Sequence, residues 1–224
     1  MLGAVLFDLD GTLVNSERQC AESVARVLLR LGRVMTDAER EFVIGHGWNE
    51  IYANFVSHGG VELPLPELQR LAAIEREHLV DEQGLHVLPG AVELVRRLGG
   101  RYPAAIVSGS SRAEIAMSVA ALEIGSVIGW FVGSEDVAHG KPAPDGYLAA
   151  ARHLGVEPRR CLVIEDSSAG ISAGLDAGMK VVAVRAGNFA GQDQAHADLV
   201  VDTLLELDDE VIAGLFSEFI GGSA

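Results

Sequence analysis

Two aspartates stand two apart at the end of an apolar run near the start of the chain: Asp8 and Asp10 follow Ala4, Val5, Leu6 and Phe7 in "AVLFDLDGT". A structural core gains nothing from two like charges placed there. Further along, "AIVSGSS" puts Ser108 and Gly109 behind a second such run, and "LVIEDSSAG" puts Glu165 and Asp166 behind a third. Between them, "HGKPAPD" carries Lys141 in a Gly-Pro setting. Carboxylates, a hydroxyl and an ammonium together suit a divalent metal and a phosphoryl group. Crowded carboxylates repel one another unless a cation joins them or one is protonated. Mg²⁺ is the natural cation, being hard, octahedral and content with a few carboxylates, waters and phosphate oxygens. The metal and Lys141 would offset charge on a transferring phosphoryl group, and Ser108 with nearby backbone N–H groups would bond its other oxygens. One carboxylate can attack phosphorus to form an aspartyl-phosphate. A second can protonate the leaving oxygen and later deprotonate water. Asp8 and Asp10 fit these two jobs. Their side chains point the same way in a regular strand, and a turn at Gly11 lets them separate.

These residues need a scaffold that brings four distant segments to one place. Short apolar runs rich in β-branched residues recur at 4–7, 104–107, 162–164, 181–184 and 199–201. Each is too short for a helix and is bounded by Gly, Pro or charge, as expected of parallel strands buried on both faces. Helical patterns separate them at 90–98, 113–122 and 145–154, the last ending at Gly155. The alternation predicts an α/β fold with a doubly wound parallel sheet and right-handed crossovers. In such sheets ligands bind outside the carboxyl ends of the strands, which is where all the reactive residues fall.

One region breaks the rhythm. Residues 16–85 show no convincing strand and much helical periodicity. Val24, Val27, Leu28 and Leu31 form a stripe stopped by Gly32; Thr36 to Glu39 has the form of a capping box; and Pro64-Leu65-Pro66 precedes a further helix through Leu68, Leu71 and Ile74 to about Leu79. The expectation is a core built from 1–15 and 86–224, with a helical domain inserted at 16–85.

DxDGT, Ser108, Lys141 and the acidic pair Glu165-Asp166, in that order, resemble the four signature motifs of the haloacid dehalogenase (HAD) superfamily of phosphotransferases. "GKPAPD" and "EDSSAGI" are similar to those of its small-sugar phosphatases and β-phosphoglucomutase-like members. The resemblance implies a Rossmann-like core, Asp8 as nucleophile and Asp10 as general acid/base. It implies Mg²⁺ held by Asp8, the Asp10 carbonyl and Asp166, with Glu165 assisting, and phosphate gripped by Ser108 and Lys141. It also implies that the helical insert is a cap that chooses the substrate, with His46 and Trp48 in "IGHGWNE" and Gly109 in the core as substrate-binding candidates. The expected activity is Mg²⁺-dependent hydrolysis of a small phosphorylated metabolite, a sugar phosphate first. A phosphomutase is the alternative, although such mutases usually carry His where Cys20 stands and a basic residue near Trp48-Asn49. Dehalogenases generally lack an acid at the place of Asp10. A phospho-accepting receiver would carry its acidic pair at the first strand, its phosphorylated Asp on a later one, and no helical insert.

Composition narrows the partners. The chain of 224 residues has a net charge of -15, which repels nucleic-acid backbones and anionic lipid. No apolar stretch approaches the roughly 20 residues that cross a bilayer. The first residues lack a basic n-region, so the expectation is a cytoplasmic protein, a monomer or weak homodimer. Cys20 and Cys161 show no zinc spacing and are read as reduced thiols, with a bridge between them left open. His58, His78, His86, His153 and His196 show no ligand pattern, and His139 is a loop histidine.

Overall fold

The computed structural model describes residues 1–44, 46–58, 61–188 and 191–217. The chain divides into two compact units: Met1–Val14 with Val87–Ala224, and Asn15–His86.

The first unit is an α/β core. Its strands are β1 (Ala4–Phe7), β2 (Ala104–Val107), β3 (Phe131–Val132), β4 (Cys161–Glu165), β5 (Lys180–Val184) and β6 (Leu199–Val201). They form one parallel sheet in the order β3-β2-β1-β4-β5-β6. The doubly wound parallel sheet predicted from the apolar runs is therefore present. β1 lies between β2 and β4, so the chain reverses its direction of winding beside β1, and a crevice opens at the strand ends there. On one face, Ala4, Leu6, Ala105, Val107, Cys161, Val163, Val181 and Ala183 form a single buried cluster with residues of two helices, Asp145–Leu154 and Ser168–Asp176. The alternate residues, including Phe7, Ile106, Leu162 and Ile164, are equally buried. Both faces are covered, which is why these strands read as unbroken apolar runs.

The second unit is all helical among its described residues: α1 (Ser16–Arg30), α2 (Asp37–Val43), α3 (Trp48–Ser57) and α4 (Leu65–Gln83). Its core joins Val24, Val27 and Leu28 of α1 to Val43, Ile51, Phe55, Leu68 and Ala72. Leu31 departs from the predicted stripe. It is the C-cap of α1, 49% exposed, because the helix stops before it and Gly32 turns at φ +79°. Thr36 caps α2 through a reciprocal box with Glu39, as its spacing predicts. α4 runs a turn beyond the predicted end, to Gln83 before Gly84.

The core helices are α5 (Ala91–Gly99), α6 (Arg112–Ala121), α7 (Asp145–Leu154), α8 (Ser168–Asp176) and α9 (Asp209–Leu215). No helix among the described residues is long and apolar enough to cross a membrane. Cys20 and Cys161 are both free of disulfide. Burial pushes the Cys161 thiol up to about 11.

Candidate active site

The site is built at the carboxyl end of β1. Asp8 is the first residue past the strand, and its N–H still bonds the Ile164 carbonyl of β4 at 2.9 Å. A tight turn follows, in which the Leu9 carbonyl accepts from the N–H groups of Leu13 and Val14. Gly11 sits in this turn at φ +87°, a conformation open to glycine. A Cβ there would also fall 2.2 Å from Asp166 Oδ2, so glycine brings the turn against the acidic pair.

The turn sends the two aspartates to different partners. Asp8 Oδ1 accepts from Lys141 Nζ at 2.5 Å. Asp10 Oδ2 accepts from Ser108 Oγ at 2.9 Å and Ser110 Oγ at 2.6 Å. Ser108 is held beyond β2 by its own N–H on the Val132 carbonyl. Ser111 caps α6. Lys141 Nζ donates to three oxygens: Asp8 Oδ1, the Val107 carbonyl at 3.0 Å and Glu165 Oε1 at 2.6 Å. Glu165 is fully buried. Its other oxygen accepts from the N–H groups of Asp166 and Ser167 and from Ser167 Oγ. A Cβ at Gly170 would sit 1.6 Å from Glu165 Oε1, so the glycine of "EDSSAG" is the space this carboxylate occupies. Asp166 Oδ1 accepts from Thr12 Oγ1 at 3.2 Å, and Gln194 Nε2 holds the Asp166 carbonyl at 2.6 Å.

Each of Asp8, Glu165 and Asp166 offers a carboxylate oxygen, all within 4.8 Å of one another. Asp8 Oδ2 is buried with no hydrogen-bond partner. Burial raises Asp8 to about 7 and Asp166 to about 9, with neighbouring carboxylates adding to the shift and Lys141 opposing it. Burial alone would pull Lys141 down, but Asp8 and Glu165 overrule it and hold the ammonium well above its ordinary value. One lysine thus cannot balance three buried carboxylates. An orphaned carboxylate oxygen within reach of two further acids fits a hard divalent cation such as Mg²⁺.

Asp8, Asp10, Ser108, Lys141, Glu165 and Asp166 are thus brought together by direct contacts or shared partners. Gly109 is exposed and lines, with Ser108 and Lys141, a cavity of about 330 Å³. His46 and Trp48 belong to the helical unit. His46 is exposed and stacks on Phe42 at 3.9 Å, and Trp48 packs against that unit's apolar core. His139 pairs with Asp145 at 3.2 Å. Four polar residues escaped sequence reasoning. Thr12 was in plain view in DGT, and Ser110 stood beside Ser108. Tyr147, whose hydroxyl donates to Glu165 Oε1, reads as a core aromatic. Gln194 carries no local signal.

The haloacid dehalogenase-like hydrolase family matches residues 5–184. The chain is 36% identical over 196 residues to hexitol phosphatase A of Escherichia coli, covering 81% of this chain and 82% of that one. It is 34% identical over 210 residues to the bifunctional riboflavin kinase/FMN phosphatase of Arabidopsis thaliana, covering 91% of this chain and spanning only 54% of that longer protein. The crystal structure of CbbY from Rhodobacter sphaeroides in complex with phosphate superposes with a TM-score of 0.78 at 25% identity, over 92% of this chain and 96% of that one. With its sheet, its strand-end constellation and this match over most of its length, the chain belongs to the haloacid dehalogenase-like hydrolase family.

Proposed function

We propose that the chain is a Mg²⁺-dependent phosphatase that hydrolyses a small phosphorylated metabolite, a sugar phosphate first, through an aspartyl-phosphate on Asp8. One observation carries this reading. Asp8 has one oxygen fixed by Lys141 and the other buried without a donor, so a carboxylate is oriented and left incompletely satisfied at the mouth of the sheet. Hexitol phosphatase A, by its name a phosphatase of sugar alcohols, supports the choice of substrate class.

Asp8 and Asp166, with the Asp10 carbonyl and Glu165 beside them, would hold the cation. When bound, it neutralises these acids and draws charge from the phosphoryl oxygens. Asp8 attacks phosphorus; the bond to the leaving oxygen breaks, and that oxygen takes a proton from Asp10. Lys141 and Ser108 hold the equatorial oxygens as charge develops on them. Asp10, now a base, takes a proton from the water that attacks the phosphoryl group, which frees phosphate and restores Asp8. Asp10 is only half-buried and is aimed by two serine hydroxyls, a setting from which it can meet both the leaving group and water.

The helical unit is proposed as the cap that selects the substrate, through His46 and Trp48. A cytoplasmic monomer or weak homodimer goes with this reading. The test is a panel of phosphorylated metabolites and p-nitrophenyl phosphate assayed with Mg²⁺, with and without glucose 1,6-bisphosphate. Phosphate release independent of the bisphosphate supports a phosphatase. Isomerisation that requires it would make the chain a mutase, and no turnover of any phosphate ester would end the proposal.

A further inference from the structure

We infer that Tyr147 is a positioning residue: it fixes the Glu165 carboxylate that holds the Lys141 ammonium against Asp8. The inference rests on the phosphatase reading for Lys141's role in catalysis, and its geometry stands apart from that reading.

Lys141 is a flexible four-carbon stem ending in a point charge. It borders the cavity of about 330 Å³, which Ser108 and Tyr147 also line. An unanchored ammonium therefore has room to swing away from the strand ends. Three acceptors prevent this, one for each of its protons: Asp8 Oδ1, the Val107 carbonyl and Glu165 Oε1. The Val107 carbonyl is fixed by the sheet. Glu165 is a side chain, so its oxygen stays in place only if the carboxylate is locked at both ends. Two backbone N–H groups and Ser167 Oγ lock Oε2. Besides Lys141 itself, the partner of Oε1 is Tyr147 Oη, at 3.0 Å.

That hydrogen bond also settles a competition. Two buried carboxylates draw on one ammonium, and the phenol meets part of Glu165's demand, so the lysine is shared with Asp8 rather than surrendered to Glu165. The Tyr147 ring lies 5.3 Å from Nζ and adds a cation–π contact that phenylalanine would keep. The helix carrying the ring is pressed onto β2, because a Cβ at Gly146 would meet Val107 Cγ1 at 2.9 Å. The Tyr147 ring is buried in one apolar cluster with Ala150, Ala151 and Val163, a role a phenylalanine ring would also fill. That packing does not call for the hydroxyl, which leaves the Glu165 contact as what the oxygen does.

The experiment compares the parent with Tyr147→Phe, alone and in a Lys141→Met background, by steady-state kinetics on p-nitrophenyl phosphate with Mg²⁺. In parallel, the ¹⁵Nζ resonance of Lys141 is followed in the protein without Mg²⁺. Tyr147→Phe should lower kcat about tenfold, the scale of one hydrogen bond to a charged group, with KM within about twofold. It should cause no further loss once Lys141 is Met, and it should shift or broaden the ammonium resonance, which Ser110→Ala should leave in place. A parental kcat together with an unmoved resonance would overturn the inference, as would a loss that persists without Lys141. If the parent turned over no phosphate ester while its ammonium resonance still answered to Tyr147→Phe, the phosphatase reading would fall and the positioning role would stand.

Discussion

The two units bury carboxylates in opposite ways. In the helical unit the two acids buried as whole residues among the described residues each meet a cation: Glu75 pairs with Arg30 at 2.6 Å, and Glu39 pairs with Arg33 and the Thr36 cap. Burial pushes Glu39 up, but the two Thr36 bonds and Arg33 outweigh it, and its carboxyl is held below the ordinary value. In the α/β unit Asp8, Glu165 and Asp166 crowd one another while Lys141 pairs with Asp8 and Glu165, and burial drives Asp8 and Asp166 upward. The same residue type is thus structural where its charge is matched locally, and it is the proposed reactive group where the fold leaves carboxylates crowded. Neither hydropathy nor burial alone separates the two cases; the balance of charge around each acid does.

The strongest way to break this contrast is at Asp8. Asp8→Asn keeps the shape and removes the attacking carboxylate, so turnover of any phosphate ester should fall roughly 10⁴-fold or more. Near-parental rates would show that the excess charge has no chemical use. Asp10→Asn should cost about 10²- to 10⁴-fold, and the loss should depend on the leaving group. An alkyl phosphate, whose leaving oxygen needs a proton, should suffer more than p-nitrophenyl phosphate. Equal losses on both substrates would remove the acid role from Asp10.

A thermal measurement sharpens the contrast without relying on activity. Burial and the neighbouring carboxylates raise Asp166 to about 9 in the folded protein, against the ordinary 3.8 of the unfolded chain. Within that window the folded state binds more protons, so in EDTA this group's contribution to stability is full below 3.8 and is lost as pH rises toward 9. Asp166→Asn removes the charge and leaves an amide oxygen to accept from Thr12. In EDTA at pH 8 the variant should melt several degrees above the parent, a gap that closes toward pH 4. Mg²⁺ should raise the melting temperature of the parent and leave that of the variant where it was. A variant that melts below the parent in EDTA at pH 8 would mean that the acid is already satisfied by the protein.

Much of this arrangement was legible beforehand, and the misses share a cause. β1, β2 and β6 could be read to the residue because Gly, Pro or charge bounds each apolar run. β3 is two residues long, too short to show a period, and α3 starts after Gly47 with no side-chain cap to announce it. The residues at the strand ends were readable because one short segment carries both the buried strand and the polar group at its end. Their wiring was not. The bond from Lys141 to Asp8 joins positions 133 apart, and Tyr147 on α7 finds its acceptor at the end of β4. Local sequence shows which residues can react, and the packing of distant segments decides which of them share a proton or a charge.

The smallest expected effect tests the structural side of the comparison. Thr36→Ala removes the hydroxyl that accepts from the Glu39 N–H at 3.2 Å and donates to Glu39 Oε2 at 3.0 Å. An N-cap of this kind contributes about 1 kcal/mol, which should appear as a fall of about 2–4 °C in melting temperature. Because Glu39 is held below its ordinary 4.5, the part of the gap that depends on its charge is present above that pH and is lost as the pH falls through the lowered value. Turnover of p-nitrophenyl phosphate should not change, since a matched charge in the helical unit does no chemistry. A drop in kcat as large as that of a strand-end variant would show that charge matching does not divide structural acids from reactive ones, and the distinction between the two units would have to rest on something else.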